Sequence, residues 1–418
     1  MAHPRPPLPP GPWLVVGLAR SGIAAGRALA ARGEEVVGVD AGHPQAEAGF
    51  PVRLASDGLA ELERAAAVVK SPGVPREAPV IATARARGMP VLGELELAWR
   101  LLDTQPWVVV TGTNGKTTTT ELLGAIYREA ALPHAVVGNV GTAATALVGT
   151  PLAPGATIVA EASSFQLEDT VALAPEAAAL LNLEPDHLDR HGTFEDYREA
   201  KLRAFARQGP DDVAYAPPDI ALPGAARRVE APPLDAADIR VRGPHNLANA
   251  RAAAALALAR GVPEEAVRAA LRAFPGVAHR LEEVAERDGV LYVNDSKATN
   301  VASTLVALRA FPPGTIHLLL GGQGKDQDFA PLREPVAQTC RAVYVFGADA
   351  GPIAAAIPDA RRFATLDHAV AEARRHARPG DVVLLSPACA SFDQFRDFEA
   401  RGDHFRALAG VQPDARSG

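Results

Sequence analysis

The sequence predicts an α/β protein of three domains, each built on a mostly parallel, doubly wound sheet. Three observations lead there. Apolar β-branched runs alternate with helical stretches along the chain, the pattern of parallel strands joined by helical crossovers. Three separate stretches each open on a strand–helix–strand signature. At 418 residues the chain exceeds one ordinary core, so two or three domains follow from size alone.

In the first region, expected over 1–97, WLVVG (13–17) is a buried strand, 24–32 a helical stretch and VVGVD (36–40) the next strand. A third strand ends at Val68–Val69, just before SPGVP (71–75). The glycine spacing Gly17-Leu-Ala-Arg-Ser-Gly22 with Asp40 ending the following strand is that of a Rossmann-like dinucleotide fold, except that Ala19 stands at the middle glycine. A Cβ there hinders close approach of a pyrophosphate to the backbone, so NAD is not expected. A nucleotide-sugar diphosphate held partly by Arg20 and Ser21 stays open.

The central region, expected over 98–278, opens on a helical LAWRLL and then reads WVVVTGTNGKTTTTELLGAIY (107–127). A strand, a glycine turn and a lysine opening a helix put the backbone amides of Gly112, Thr113, Asn114 and Gly115 around a phosphate, at a helix N-terminus. Lys116 reaches the β/γ-phosphates and the Thr117 hydroxyl takes magnesium. The first glycine of the usual motif is replaced by Val110. The region is therefore read as a P-loop ATPase-type fold that binds a nucleoside triphosphate. Strands follow at TIVA (157–160) and AALLNL (178–183), then helical FEDYREAKLRAFA (194–206), an irregular proline-rich excursion over 216–237 and an alanine-rich helix over 246–260. The third region, expected over 279–418 and also Rossmann-like, carries strands at VLYVN (290–294), IHLLL (316–320), AVYVF (342–346) and VVLLS (382–386).

Composition narrows the partners. A formal charge of −7 argues against nucleic acid, and no stretch is long and apolar enough for a membrane span. The N-terminal MAHPRPPLPPGP lacks an apolar signal core, and Cys340 and Cys389 make no disulfide framework, so a cytoplasmic enzyme is expected.

In parallel sheets, ligand groups gather beyond the carboxyl ends of the strands. Here the exits carry the phosphate loop, Glu161 before paired serines, and the cluster Asp186, His187, Asp189 and His191. Singly each reads as a cap or surface charge. Converging on one triphosphate, Glu161 and His187 read as magnesium ligands. The third region's exits supply Lys297, Lys325 and Ser391, donors able to hold a small polyanion.

These residues resemble the Mur ligases, ATP-dependent amide-forming enzymes of cell-wall precursor synthesis. GTNGKTTT, GNVG (138–141), SSFQL (163–167), LNLEPDHLDRH and HNLANA (245–250) are similar to that family in general. NDSKATN, GGQGKD and SPACASFDQF resemble its branch that joins D-glutamate to UDP-N-acetylmuramoyl-L-alanine. The resemblance implies one domain for the UDP end, one for ATP and one for the amino acid. It implies Arg20, Ser21, Asp40, Ser71 and Gly73 at the UDP-sugar end, with Asn139 and Ser163 near the sugar-peptide. ATP would be held by Gly112, Thr113, Asn114, Gly115, Lys116, Thr117 and Thr118, with Asn249, Arg280 and Asp295. D-glutamate would meet Lys297, Thr299, Lys325, Ser391 and Phe398. Lys201 matches a lysine carbamylated by CO₂ in the family and joins Thr117, Glu161 and His187 around two magnesium ions. Lys116, His187 and Lys201 would be the catalytic residues, in a monomer. Three other readings are weighed against it: a folylpolyglutamate synthase, a nucleotide-dependent switch and an NAD-dependent dehydrogenase. The βαβ pattern ahead of the phosphate loop disfavours the first, the donors of the third region the second, and Ala19 the third.

Overall fold

A computed structural model describes residues 3–44, 47–139, 141–241, 243–324 and 327–410, apart from the Asp189 side chain. Lys325 therefore lies outside the described residues. The chain divides into two compact units, Met1–Ile239 with Pro244–Phe274, and Arg240–Gly243 with Pro275–Gly418.

The first unit holds two parallel sheets. In one, β1 (Trp13–Val16), β2 (Val36–Asp40), β3 (Val52–Leu54), β4 (Ala67–Lys70) and β5 (Val91–Gly93) lie in the order β3-β2-β1-β4-β5. All four pairings are parallel, and the order reverses between β1 and β4, where a doubly wound sheet opens its crevice. Short β3 and β5 are absent from the sequence reading, since three residues leave no periodicity to read. The central sheet comprises β6 (Trp107–Thr111), β7 (His134–Gly138), β8 (Thr157–Glu161), β9 (Ala177–Leu180), β10 (Val213–Tyr215) and β11 (Arg227–Arg228), ordered β11-β10-β9-β6-β8-β7. Every residue of β6 is buried, as expected of a strand covered by helices on both faces. The strand expected to reach 183 stops at Leu180, and the helix expected to reach 206 spans Phe194–Leu202.

The helix Glu94–Leu101 runs through the boundary expected at 97/98. Leu97 packs in the core of the first sheet, while Leu95, Ala98 and Trp99 belong to the central core. Its two buried acids take backbone and side-chain donors, Glu94 through Oε1 alone, since among the described residues its Oε2 has no hydrogen-bond partner. Glu94 accepts from the Thr145 amide and hydroxyl at 2.7 Å, and Glu96 accepts from the amides of Val171, Ala172 and Leu173 and from Arg100. Glu96, with three backbone amides and Arg100 on it, ties the joint between the sheets, because stripping a buried carboxylate of its donors would be costly, whereas burial pushes the Glu94 carboxyl up despite its Thr145 bonds.

The second unit is one sheet of β12 (Glu282–Arg287), β13 (Val290–Asn294), β14 (Ile316–Gly321), β15 (Cys340–Phe346), β16 (Arg361–Arg362) and β17 (Val382–Leu385), ordered β12-β13-β17-β14-β15-β16. Only β12 runs antiparallel. The α/β class therefore holds, with mostly parallel sheets. Among the described residues no helix is long and apolar enough to cross a membrane.

Candidate active site

The phosphate loop leaves β6, the strand flanked by β8 and β9 where the central order reverses. Gly112 has φ +148° and Gly115 has φ +84°, conformations L side chains rarely adopt. A Cβ on Gly115 would also lie 2.1 Å from Asn249 Oδ1. The helix Lys116–Glu129 begins immediately after, so its N-terminus faces the loop. We expect Gly115→Ala to lower stability by about 1–3 kcal/mol and to raise the Michaelis constant for ATP. Thermal melts with and without nucleotide test this, and an unchanged melting temperature and ATP affinity would remove the loop's proposed constraint.

Lys116 Nζ donates to the carbonyls of Gly112 at 3.0 Å and Thr113 at 2.8 Å. Lys201, from the helix 85 positions later in sequence, is buried and donates to the same Gly112 oxygen at 2.7 Å. Two lysine amines thus converge on one carbonyl. Burial first, then the Lys116 charge, pushes the Lys201 amine down to about 7, with Asp186 and Glu161 pulling it back up. Lys201 Nζ also sits 4.5 Å from the Tyr197 ring centroid, and the Tyr197 hydroxyl meets Thr113 Oγ1 at 2.9 Å.

The loop is braced by residues that the sequence reading missed. The Asn114 amide donates to Asn182 Oδ1 at 2.8 Å, and Asn182 Nδ2 returns a bond to the Asn114 carbonyl at 3.1 Å. Thr113 Oγ1 accepts from the Glu184 amide at 2.9 Å. A polar Asn182 inside an otherwise apolar strand pattern was the available signal. Thr117 is buried and Thr118 half-buried in the first helical turn.

Glu161 ends β8, buried, with Oε1 accepting from Asn139 Nδ2 at 3.1 Å. Among the described residues nothing hydrogen-bonds its Oε2, and none of them form a cluster of three His, Cys, Asp or Glu able to hold a metal. The expected magnesium set draws only two such groups, Glu161 and His187, alongside the Thr117 hydroxyl, a Lys201 carbamate and phosphate oxygens. The oxygens of this set, from Glu161, Thr117, a carbamate and the phosphates, are hard donors that suit magnesium, while His187 would offer an imidazole nitrogen. His187 has a left-handed backbone (φ 51°) and an exposed ring that packs on Phe165 at 4.8 Å. His191, buried against Phe165, meets Ser164 Oγ at 2.9 Å and is held below the usual imidazole range by burial. Ser163 is occupied locally, capping the helix Ser164–Leu167 in a reciprocal box with Gln166.

At the carboxyl edge of the first sheet, Gly17 follows β1 with φ +88°, and Ser71 Oγ donates to its carbonyl at 2.6 Å. A Cβ on Gly22 would lie 1.8 Å from the Gly17 oxygen, so this glycine permits the helix Arg20–Ala31 to pack on the strand exit. Asp40 braces the turn, accepting from the amides of Leu18 at 2.6 Å and Gly42 at 2.8 Å. Exposed Arg20 reaches the Gly141 carbonyl at 3.3 Å, and Gly73 faces open space. Arg190 joins this edge to the central sheet: it donates to Val74 O at 2.8 Å and Glu168 Oε1 at 2.9 Å, and lies over Phe165. Buried Lys70 adds ion pairs to Glu168 and Asp169.

In the second unit the exits of β13, β14 and β17 meet. Asp295 Oδ2 accepts from Ser386 Oγ at 2.8 Å and Oδ1 from the Leu281 amide at 3.2 Å; burial nonetheless pushes this carboxyl up to about 7. Arg280 lies close enough to oppose that shift. Lys297 Nζ stands 5.0 Å from the ring centroid of Phe398, the first residue of the helix Phe398–Leu408. Thr299 is half-buried and Ser391 is buried where β17's exit loop turns back.

Comparison with known proteins converges on one family. The family model for the Mur ligase middle domain matches residues 110–231, and that for the Mur ligase glutamate ligase domain matches 279–389. The UDP-N-acetylmuramoylalanine--D-glutamate ligase of Anaeromyxobacter dehalogenans is 44% identical, covering 95% of this chain and 97% of the relative. The proteins of that name from Novosphingobium aromaticivorans and Myxococcus xanthus are 43% and 42% identical, over 95% and 94% of this chain and 94% and 97% of their own. In fold, the chain is similar to the UDP-N-acetylmuramate-alanine ligase MurC of Thermotoga maritima, with TM-score 0.56 and 18% identity over 90% of this chain and 96% of that one. MurF of Acinetobacter baumannii gives TM-score 0.53 and 20% identity, covering 71% and 78%. With the phosphate loop, the Glu161 exit and the third-region loops all falling inside alignments that span nearly the whole sequence, the chain belongs to the Mur ligase family.

Proposed function

We propose that the protein is an ATP-dependent amide ligase that joins D-glutamate to UDP-N-acetylmuramoyl-L-alanine in peptidoglycan precursor synthesis, acting as a cytoplasmic monomer. The observation that carries the ligase reading is the convergence of Lys116 and Lys201 on the Gly112 carbonyl of the phosphate loop. The choice of D-glutamate rests on relatives of that name at 39–44% identity. Residues 1–97 are assigned to the UDP end, 98–278 to ATP and 279–418 to the amino acid.

A carboxylate resists attack by an amine because its charge is delocalised and its leaving group would be oxide. Transfer of the γ-phosphoryl group of ATP to the alanyl carboxylate gives an acyl phosphate and ADP. The neutral D-glutamate amine then attacks the acyl carbon, and the tetrahedral intermediate gives up the amine proton to a base and expels phosphate to leave the amide. Two anions meet in the first step, so positioning and charge neutralisation dominate. In this assignment the amides of Gly112, Thr113, Asn114 and Gly115 hold the phosphates, Lys116 neutralises the transferring group, and Thr118, Asn249, Arg280 and Asp295 hold the nucleotide. Thr117, Glu161 and His187, with a Lys201 carbamate, would hold magnesium, which supplies further neutralisation of phosphate charge when bound. Arg20, Ser21, Asp40, Ser71, Gly73, Asn139 and Ser163 orient the UDP-sugar peptide.

Phosphate release measured with each substrate omitted in turn tests the reaction. Release that is indifferent to D-glutamate, or that folate substrates support instead, overturns it. We expect Thr299→Ala and Ser391→Ala to raise the Michaelis constant for D-glutamate about tenfold or more while leaving that for ATP unchanged, since each removes a hydrogen bond to a charged ligand, typically ~1.5–3 kcal/mol. Unchanged glutamate saturation in both variants would remove this part of the assignment. Lys297, Lys325 and Phe398 complete the proposed set.

A further inference from the structure

Arg401 is fully buried in the second unit, three residues into the helix Phe398–Leu408. Its Nε donates to Ser296 Oγ at 3.0 Å, and Nη2 donates to the carbonyls of Ser296 at 2.8 Å and Cys389 at 3.0 Å. Nη1 reaches the Gly321 carbonyl at 3.4 Å. Every one of these acceptors is neutral. Among the described residues no carboxylate forms an ion pair with Arg401, and Asp393 acts on it only from beyond that distance. Burial pulls the guanidinium down to about 10, so it stays charged at neutral pH.

The positions of the acceptors make the arrangement informative. Ser296 follows β13 and precedes Lys297 and Thr299. Gly321 closes β14 and opens the GGQGKD loop, and Cys389 stands two residues before Ser391. Phe398 begins the helix that carries Arg401 itself. One side chain therefore ties together every segment bearing a proposed D-glutamate donor. A strut for carbonyl oxygens needs hydrogen-bond donors but no net charge. A buried charge whose nearby carboxylate, Asp393, stands beyond ion-pair distance is incompletely compensated, and a dicarboxylate brings further negative charge.

We propose that Arg401 is a positioning residue of the amino-acid site: it holds the three loops in register and supplies a buried positive charge that the incoming dicarboxylate neutralises. This rests on the assignment of the second unit to D-glutamate.

The test is steady-state kinetics of the full chain with ATP, UDP-N-acetylmuramoyl-L-alanine and D-glutamate. Arg401→Gln is expected to raise the Michaelis constant for D-glutamate about tenfold or more while leaving that for ATP within about twofold. Arg401→Lys is expected to recover part of the affinity near neutral pH and to lose it as pH rises, because a buried ammonium gives up its proton. The wild-type constant is expected to lack that added loss between about pH 7 and 9, where the guanidinium keeps its charge and the other titrating groups are common to both proteins. A purely structural strut would not produce that difference in pH profile. The proposal is overturned by an unchanged glutamate constant in folded Arg401→Gln, by a parallel rise in all three Michaelis constants with a lowered melting temperature, or by identical pH profiles for wild type and Arg401→Lys. Should neither variant fold, Ser296→Ala decides, because it removes one acceptor and keeps the guanidinium. A rise of about threefold confined to D-glutamate supports the proposal, and no rise overturns it. Wild-type turnover that ignores D-glutamate refutes the substrate assignment and this inference with it, and is visible before any variant is made.

Discussion

Lys116→Ala is expected to lose phosphoryl transfer by at least ~10²-fold, the scale set by removing one preorganised electrostatic donor, while its melting temperature stays close to wild type. The side chain is only half-buried, and the two carbonyls it bonds, Gly112 and Thr113, lie in a loop independently braced by Asn182 and Glu184. Little of the fold depends on it. The loss has a second component. Lys116 is the largest charge lowering the Lys201 amine, so its removal lets Lys201 keep its proton to higher pH. Residual activity in Lys116→Ala should therefore show a pH dependence displaced upward from that of wild type. Near-normal phosphate release by a folded Lys116→Ala protein would sink the proposed role of this loop in phosphoryl transfer.

How much of this was legible in the sequence depends on whether a residue's role is local. The phosphate loop could be read because its demands are backbone demands. Glycines at φ +148° and +84°, followed by a lysine opening a helix, declare themselves within a few residues. Gly17 and Gly22 declared themselves the same way, and the longer apolar strands such as β1, β6, β14 and β17 followed from apolar runs, whereas β5, β7 and β10 did not. β12 did not, since EEVAER reads as a charged surface stretch and becomes a strand only by pairing antiparallel with β13. Residues whose partners are distant in sequence were silent. Asn182 meets Asn114 across 68 positions, Arg190 meets Val74 across 116, and Arg401 meets Ser296 across 105. Nothing near an arginine in FEARGDHF marks it as buried. Asp40 and Ser163 show the reverse: conspicuous as ligand candidates, they already hold backbone amides in place. Any contact they make with substrate is added to a structural task.

Lys201 carries the other large expected effect. Carbamylation joins the neutral amine nitrogen to the carbon of CO₂ and releases one proton, leaving an anion where an ammonium would repel magnesium. An ordinary lysine is almost wholly protonated at neutral pH, but burial and Lys116 bring this amine to about 7, so a substantial neutral fraction is present there. The sign follows for stability too. The unfolded lysine keeps its proton to its normal value near 10.5, so the folded protein binds fewer protons than the unfolded one between about 7 and 10.5. The cost of burying the charge is therefore full below about 7 and is relieved as pH rises. At fixed CO₂ pressure, activity should rise with pH through about 7 and fall in CO₂-depleted buffer. Lys201→Ala should lose most activity, and a small added carboxylate should restore part of it by occupying the vacated anionic position. Lys201→Arg should remain inactive, because a guanidinium keeps its charge and forms no carbamate. A carbon-13 resonance appearing under labelled CO₂ in wild type and missing from Lys201→Arg would identify the adduct directly. Full activity in Lys201→Arg, or indifference of the wild type to CO₂ removal, excludes the carbamate.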